Sequence, residues 1–133
     1  SPHLTSKKWP YYNELINLIK YKFKDEFKIL IAPGPTEIND AKNINAISIL
    51  NNEKALNISE LSSLINDSKF IVANDTGPAH MAAHLKAKGL TLFGSHTSAY
   101  KVSIERENFK PIQVESLDKL SPEKVFERLQ NKI

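Results

Sequence analysis

The stretch from Lys69 to Leu85 constrains the fold of this chain more than any other. Phe70-Ile71-Val72-Ala73 is a short apolar run, and a strand buried on both faces of a parallel sheet reads that way. It stops at Asn74-Asp75-Thr76-Gly77, a cluster of turn and cap formers. Asp75 or Thr76 can N-cap a helix beginning there, and Pro78 suits a first helical turn, where its missing N–H costs nothing. Gly77 lets a ligand or backbone approach closely. The stretch therefore predicts strand, tight loop and helix, with free N–H groups and the positive end of a helix dipole at the loop. Two readings fit: an anion site, phosphate first among candidates, and an ordinary capped helix in an α/β domain.

The rest of the chain repeats that alternation. Trp9-Pro10 opens a helix with Pro10 in its first turn, and Tyr12, Leu15, Ile16, Ile19 and Phe23 recur at helical spacing before it fades near Lys24 to Glu26. Phe27 to Ala32 reads as a strand stopped by Pro33-Gly34-Pro35. Glu37 to Asn43 comes next as a short helix and Ala46 to Leu50 as a strand. Asn51 to Asn57 is a polar loop before a helix capped by Ser59, with Leu61, Leu64 and Ile65 inward. Gly89 to Phe93 is the next strand, Ser95 to Asn108 an irregular polar stretch, and Pro111 to Val114 a last strand. Ser121-Pro122-Glu123 opens the final helix with cap, proline and acid in the favoured order. Strands alternating with helices predict an α/β parallel sheet with helices on both faces. The loops at residues 33–37, 74–77 and 94–97 then share the carboxyl edge, where such sheets bind ligands.

A length of 133 residues suits one domain, here residues 1–133, without linker or repeat. No apolar run approaches the ~18–20 residues of a membrane span, and no export signal is recognisable. The absence of cysteine excludes disulfides and thiolate metal sites. A net charge of +3 is mild, and suits an anionic ligand or lipid surface as well as a merely solvated face. The basic residues look scattered and free of aromatic interleaving, which argues against nucleic acid. The chain opens with Ser1, and Met81 is its only methionine, so it reads as a piece of a longer protein or a processed product.

Several residues could carry chemistry. Glu37, in Gly34-Pro35-Thr36-Glu37, comes after a strand and can accept hydrogen bonds from vicinal ribose hydroxyls; equally, it can simply favour a helix start. Gly34 permits the turn. Lys7 and Lys8 precede a helix N-terminus, where a cation opposes the dipole unless a phosphate lies between them; the alternative is an exposed basic tail. His80 and His84 have the spacing of a zincin pair, but Met81 stands where the glutamate belongs and no third ligand is suggested. No metal site and no cofactor are expected. His80, one turn into the helix, can reach a phosphate or sugar hydroxyl. His96 and Thr97 can line the cleft or be ordinary loop residues. There is no G-x-G-x-x-G and no Walker A sequence.

Asp75-Thr76-Gly77-Pro78-x-His80-x-Ala82-Ala83 resembles the D-[ST]-G-x-x-H-x-A-A signature of glycosyltransferase family 9, the ADP-heptose:lipopolysaccharide heptosyltransferases. Lys8-x-Pro10, Gly34-Pro35-Thr36-Glu37 and Leu92-Phe93-Gly94 match in order, so the resemblance covers roughly residues 7–97. It implies the C-terminal, donor-binding half of a GT-B fold, Rossmann-like, within a longer two-domain bacterial transferase. Lys8 should then neutralise donor phosphates and Glu37 should bind the ribose. Thr76 and Gly77 should hold the β-phosphate, and Asp75 should meet the sugar hydroxyls with His80 nearby. The implied reaction is inverting, metal-independent transfer from an ADP-heptose-type donor to a lipid-linked saccharide. Its base would come from an N-terminal domain, so this piece should bind donor without turnover. A cytoplasmic place, peripheral to the inner membrane, is implied by the same resemblance. The chain departs from the family at Ser95-His96-Thr97, where Pro-Thr-Asp is usual, and the strand before Lys7 is missing or reduced to Ser1–His3. Three other readings remain: a domain using another nucleotide sugar such as a UDP-sugar, a non-catalytic nucleotide-binding module, and a phosphate-free interaction domain.

Overall fold

The computed structural model describes residues 9–74, 85, 87–93 and 109–131. In chain order these form α1 (Tyr12–Phe23), β1 (Leu30–Ile31), α2 (Ile38–Ala41), β2 (Ile47–Ser48), α3 (Ile58–Asp67), β3 (Ile71–Asn74), β4 (Gly89–Phe93), β5 (Phe109–Gln113), a 3-10 turn (Leu117–Lys119) and α4 (Pro122–Gln130). Helix and strand alternate as expected from α1 to β3, the helix expected after β3 lies outside the described residues, and every strand pair among the described residues is parallel.

β4 lies at the centre of its sheet. It pairs β3 on one side, from Ile71↔Gly89 to Asn74↔Leu92, and β5 on the other, from Gly89↔Phe109 to Phe93↔Gln113. Leu90 and Leu92, two apart and therefore on one face of the strand, are completely buried. They meet Leu15 of α1, Val125 and Leu129 of α4, Ile112 of β5, and Leu117, Leu120 and Trp9. Each fully buried aliphatic side chain of this kind contributes about 1.5–3 kcal/mol. Of the apolar face expected on α1, Leu15 and Ile16 are buried, while Tyr12 and Ile19 pack at the core's margin.

Several expected boundaries shift, each for a local reason. α1 begins at Tyr12 rather than at Pro10. The Trp9 indole N–H donates to the Leu120 carbonyl at 2.8 Å, and the Tyr11 hydroxyl to the Asp118 carbonyl at 2.8 Å. Anchored at both points, residues 9–11 form a turn and not a helix. Among the described residues β1 and β2 pair only with each other, Leu30↔Ile47 and Ile31↔Ser48, and they shrink to two residues each. Phe27, expected within that strand, instead packs edge-on against Phe23, their centroids 5.1 Å apart. α3 is capped by Asn57 and not by Ser59: Asn57 Oδ1 accepts from the Glu60 N–H, and Glu60 Oε1 accepts from the Asn57 N–H, a reciprocal capping box. The last strand starts at Phe109, two residues early, to match the full length of β4. α4 begins as expected, with Ser121 Oγ accepting from the Lys124 N–H and Pro122 in the first turn.

One expectation is refined at larger scale. Among the described residues the strands form two parallel ladders, β1–β2 and β3–β4–β5, and not one continuous sheet. Asn13 links them. Its Nδ2 donates to the Asn43 carbonyl at 2.8 Å and its Oδ1 accepts from the Asn45 N–H at 2.7 Å. A side-chain amide on α1 thus holds the chain leading into β2, while the rest of α1 packs with α4 over the larger ladder.

Candidate functional site

Of the residues expected to touch the donor, Glu37 is the one whose surroundings are described. Lys8, Asp75, Thr76, Gly77, His80, His84, His96 and Thr97 lie outside the described residues, as does the helix expected after β3. What the structure gives around them is the frame: Trp9 directly after Lys8, and Asn74, the last residue of β3, directly before Asp75.

Glu37 sits beyond the carboxyl end of β1, where Pro33 is buried and Gly34 to Glu37 form a turn closed by Glu37 N–H to the Gly34 carbonyl, 3.0 Å. It occupies the N-cap position of α2 and its carbonyl accepts from the Ala41 N–H at 2.9 Å, yet its side chain makes no cap hydrogen bond. The helix-start reading is therefore satisfied by the backbone alone. The carboxylate folds back instead, so that a Cβ added to Gly34 would lie 3.1 Å from Glu37 Oε1. This corrects the role expected of Gly34. Its φ is not positive, so conformational freedom is not what the position uses; the missing side chain leaves room for the carboxylate.

Tyr12 enters the site unannounced. Read in the sequence as part of an apolar helix face, it carries a phenol whose pKa is pushed well above its ordinary 10.0, first by burial and then by the negative charge of Glu37. The residue as a whole is half-buried, so the burial concerns its hydroxyl end. Its ring stands edge-on to Trp9, centroids 5.0 Å apart. The signal was available: a tyrosine buries its ring but must still find a partner for its hydroxyl. Trp9, through Tyr12 and Leu120, connects the turn before α1 to both Glu37's neighbourhood and the start of α4.

Beside this lies a groove of about 660 Å³ between the first turn of α1, the α2–β2 connection and the Ser116–Asp118 turn. Asp40, Asp118, Asn13 and Asn43 are among its walls and Glu37 is not. Tyr12, whose phenol feels the charge of Glu37, is another of its walls, so the groove adjoins Glu37's surroundings. Among the described residues no group of three or more acids or histidines could hold a metal ion.

Parallel ladders, helices packed on them and a carboxylate held past a strand's carboxyl end define a Rossmann-like α/β unit. Comparison with known proteins supplies the family. The model of glycosyltransferase family 9 (heptosyltransferase) matches residues 2–109, and the chain belongs to that family. No curated protein matches. Among solved structures, E. coli heptosyltransferase WaaC with ADP-2-deoxy-2-fluoro heptose superposes with a TM-score of 0.77 at 20% identity, over 96% of this chain and 40% of that one. E. coli ADP-heptose lps heptosyltransferase II superposes with 0.75 at 22% identity, over 96% and 42%. WaaC with ADP gives 0.72 at 20% identity, over 95% and 40%. At these identities the likeness is one of fold. The chain spans about two fifths of the length of those structures.

Proposed function

We propose that this chain is the donor-binding part of an inverting, metal-independent glycosyltransferase that uses an ADP-heptose-type nucleotide sugar in lipopolysaccharide core synthesis. The observation that carries the proposal is Glu37: its carboxylate is withheld from helix capping and kept beside Gly34 at the carboxyl end of β1. Family membership and two similar structures holding ADP or an ADP-heptose analogue support the nucleotide. In this reading Glu37 accepts hydrogen bonds from the ribose hydroxyls, and Lys8 neutralises the diphosphate. Thr76 and Gly77 hold the β-phosphate against the helix N-terminus, Asp75 meets the sugar hydroxyls, and His80 lies nearby. During transfer, Lys8 and the helix dipole stabilise the departing diphosphate, while a base from another domain deprotonates the acceptor hydroxyl. Residues 1–133 therefore form one donor-binding domain that holds the donor without turning it over. The acceptor is a lipid-linked saccharide, and the protein works in the cytoplasm with peripheral contact to the inner membrane.

Titration of ADP, UDP and GDP with amide NMR tests this. Shifts at Lys8, Glu37 and Thr76 to His80 that are largest with ADP are expected. Shifts that favour UDP would keep a donor site and discard ADP-heptose. No shifts at those residues with any of the three would overturn donor binding by this chain, and sugar transfer by the chain alone would refute the absence of turnover.

A further inference from the structure

Residues 20–28 read Lys-Tyr-Lys-Phe-Lys-Asp-Glu-Phe-Lys, an interleaving of cations and aromatic rings that the view of scattered basic residues overlooked. The structure gathers it into a surface. Tyr21 is 80% exposed, the most exposed of the large apolar or aromatic side chains described. Lys24 holds its ammonium 5.1 Å above the Tyr21 ring. Phe23 and Phe27 stand edge to face, and Lys69, from the chain just before β3, places its ammonium 5.1 Å above the Phe27 ring. Lys20 and Lys22, in the last turn of α1, and Lys28 are exposed beside them. Five lysines thus face three carboxylates near them in sequence, Asp25, Glu26 and Asp67. That excess is most of the chain's net charge of +3, carried by the last turn of α1, the residues that follow it and Lys69.

The backbone adds an independent observation. Lys24 ends α1 with φ 57° and ψ −125°, a conformation that favours glycine. Lys24 thus holds its cation over the exposed Tyr21 ring from a backbone conformation that costs a lysine more than a glycine.

The geometry points to the C-terminal end of α1 as a docking surface for an anionic phospholipid membrane. Lysines around an exposed aromatic side chain are what an interfacial surface offers: the ammonium groups meet lipid phosphates and the Tyr21 ring enters the headgroup layer, with Phe23 and Phe27 half-buried behind it. Nucleic acid is the poorer fit, because successive bases need a row of exposed ring faces on which to stack, and Tyr21 is the one exposed ring here. Here one face of Tyr21 and one of Phe27 lie under lysines, and Phe23 is engaged edge-on by Phe27 and by Phe126, 6.3 Å away. The surface gives the peripheral membrane contact proposed above a location, and it does not depend on which nucleotide is bound.

Co-sedimentation of the full chain with vesicles tests the inference. Vesicles of phosphatidylcholine with about a third phosphatidylglycerol should bind at least about tenfold more strongly than pure phosphatidylcholine, and the difference should vanish as salt rises well above about 0.1 M. The combined variant Lys22→Glu, Lys24→Glu, Lys69→Glu should lose about tenfold or more of that binding. Tyr21→Ser should weaken it without changing its salt dependence, and Lys54→Glu with Lys119→Glu should leave it unchanged. Equal binding to neutral vesicles, no vesicle binding, or wild-type binding by the triple variant would overturn the proposal. So would binding of a single-stranded oligonucleotide, lost in the same variant, in place of vesicles. ADP titration of the triple variant keeps the two readings apart: loss of vesicle binding with unchanged nucleotide shifts touches this surface alone.

Discussion

At the scale of single residues, position 34 separates what the fold needs from what the site needs. Gly34 does not use positive φ, so alanine there is compatible with the backbone and should stabilise the chain by up to about 1 kcal/mol through the unfolded state. The added methyl would meet Glu37 Oε1 at 3.1 Å, tighter than an ordinary contact, and the carboxylate must give way. Gly34→Ala is expected to raise the urea midpoint slightly and to weaken ADP binding several-fold, up to about tenfold for the loss of one charge-assisted hydrogen bond; equilibrium unfolding and calorimetry measure the two. Tyr12 gives a pH dependence. Its folded pKa lies above 10.0, so below pH 10 the phenol is neutral in both states and contributes no slope. Above pH 10 the unfolded chain ionises first, and stability falls by at most about 1.4 kcal/mol per pH unit from this group. Urea midpoints tracked from about pH 9 to 11 should therefore drop less steeply in Tyr12→Phe than in the wild type. The sequence made the carboxylate at 37 legible because a strand, a proline-glycine break and an acid succeed one another. It concealed Tyr12, since spacing reports which face a side chain joins and not what its hydroxyl meets.

At the scale of elements, caps and pairing partners decide the boundaries. α3 shows both sides of sequence reading. The helix and its inward Ile65 were legible from periodicity, yet Ser59 drew the cap two residues too far along. Asn57 and Glu60, three apart, are the reciprocal pair, and Asn51 Nδ2 reaches Glu60 Oε2 at 2.6 Å to hold it. Asn57→Ala should lower stability by about 1 kcal/mol, whereas Ser59→Ala should change it by less than about 0.5 kcal/mol, as judged by thermal or urea unfolding. The strands divide in the same way. β4 matched its expected span, Gly89 to Phe93, because β5 pairs with all five of its residues on one side and β3 with four on the other. β1 and β2 did not, because β-pairing is a property of neighbours and a lone two-residue ladder cannot be read from apolar runs.

At the scale of the whole molecule, the two ladders depend on α1 in different ways. The larger is bound to it by apolar burial around Leu15, Leu90 and Leu92; the smaller is held by the paired hydrogen bonds of Asn13. Removing that amide should loosen the smaller ladder selectively. In Asn13→Ala, hydrogen exchange at the Ile47 and Ile49 amides, which bond the Ile29 and Ile31 carbonyls, should quicken by about tenfold, while exchange at Leu90 and Leu92 stays near wild type. Uniform acceleration across both ladders would show that they open as one unit. The family was legible from motif order along the chain, since Lys8, Gly34 to Glu37 and Asp75 to His80 lie in sequence register whatever the packing. The division into two ladders was not, because it depends on which strand edges find each other.

Trp9 is the one tryptophan in the chain and is 3% exposed, its indole N–H committed to Leu120 while its ring touches Tyr11 and Tyr12. Excitation of indole in this protein therefore addresses a single joint. Emission should be blue in the native state and move to the red when α4 detaches, with no second emitter to blur the change. Lys8 is its covalent neighbour and Tyr12 its ring neighbour. The same chromophore thus sits between the proposed phosphate contact and the phenol next to Glu37, and a dye-free optical titration can track both ligand occupancy and helix release.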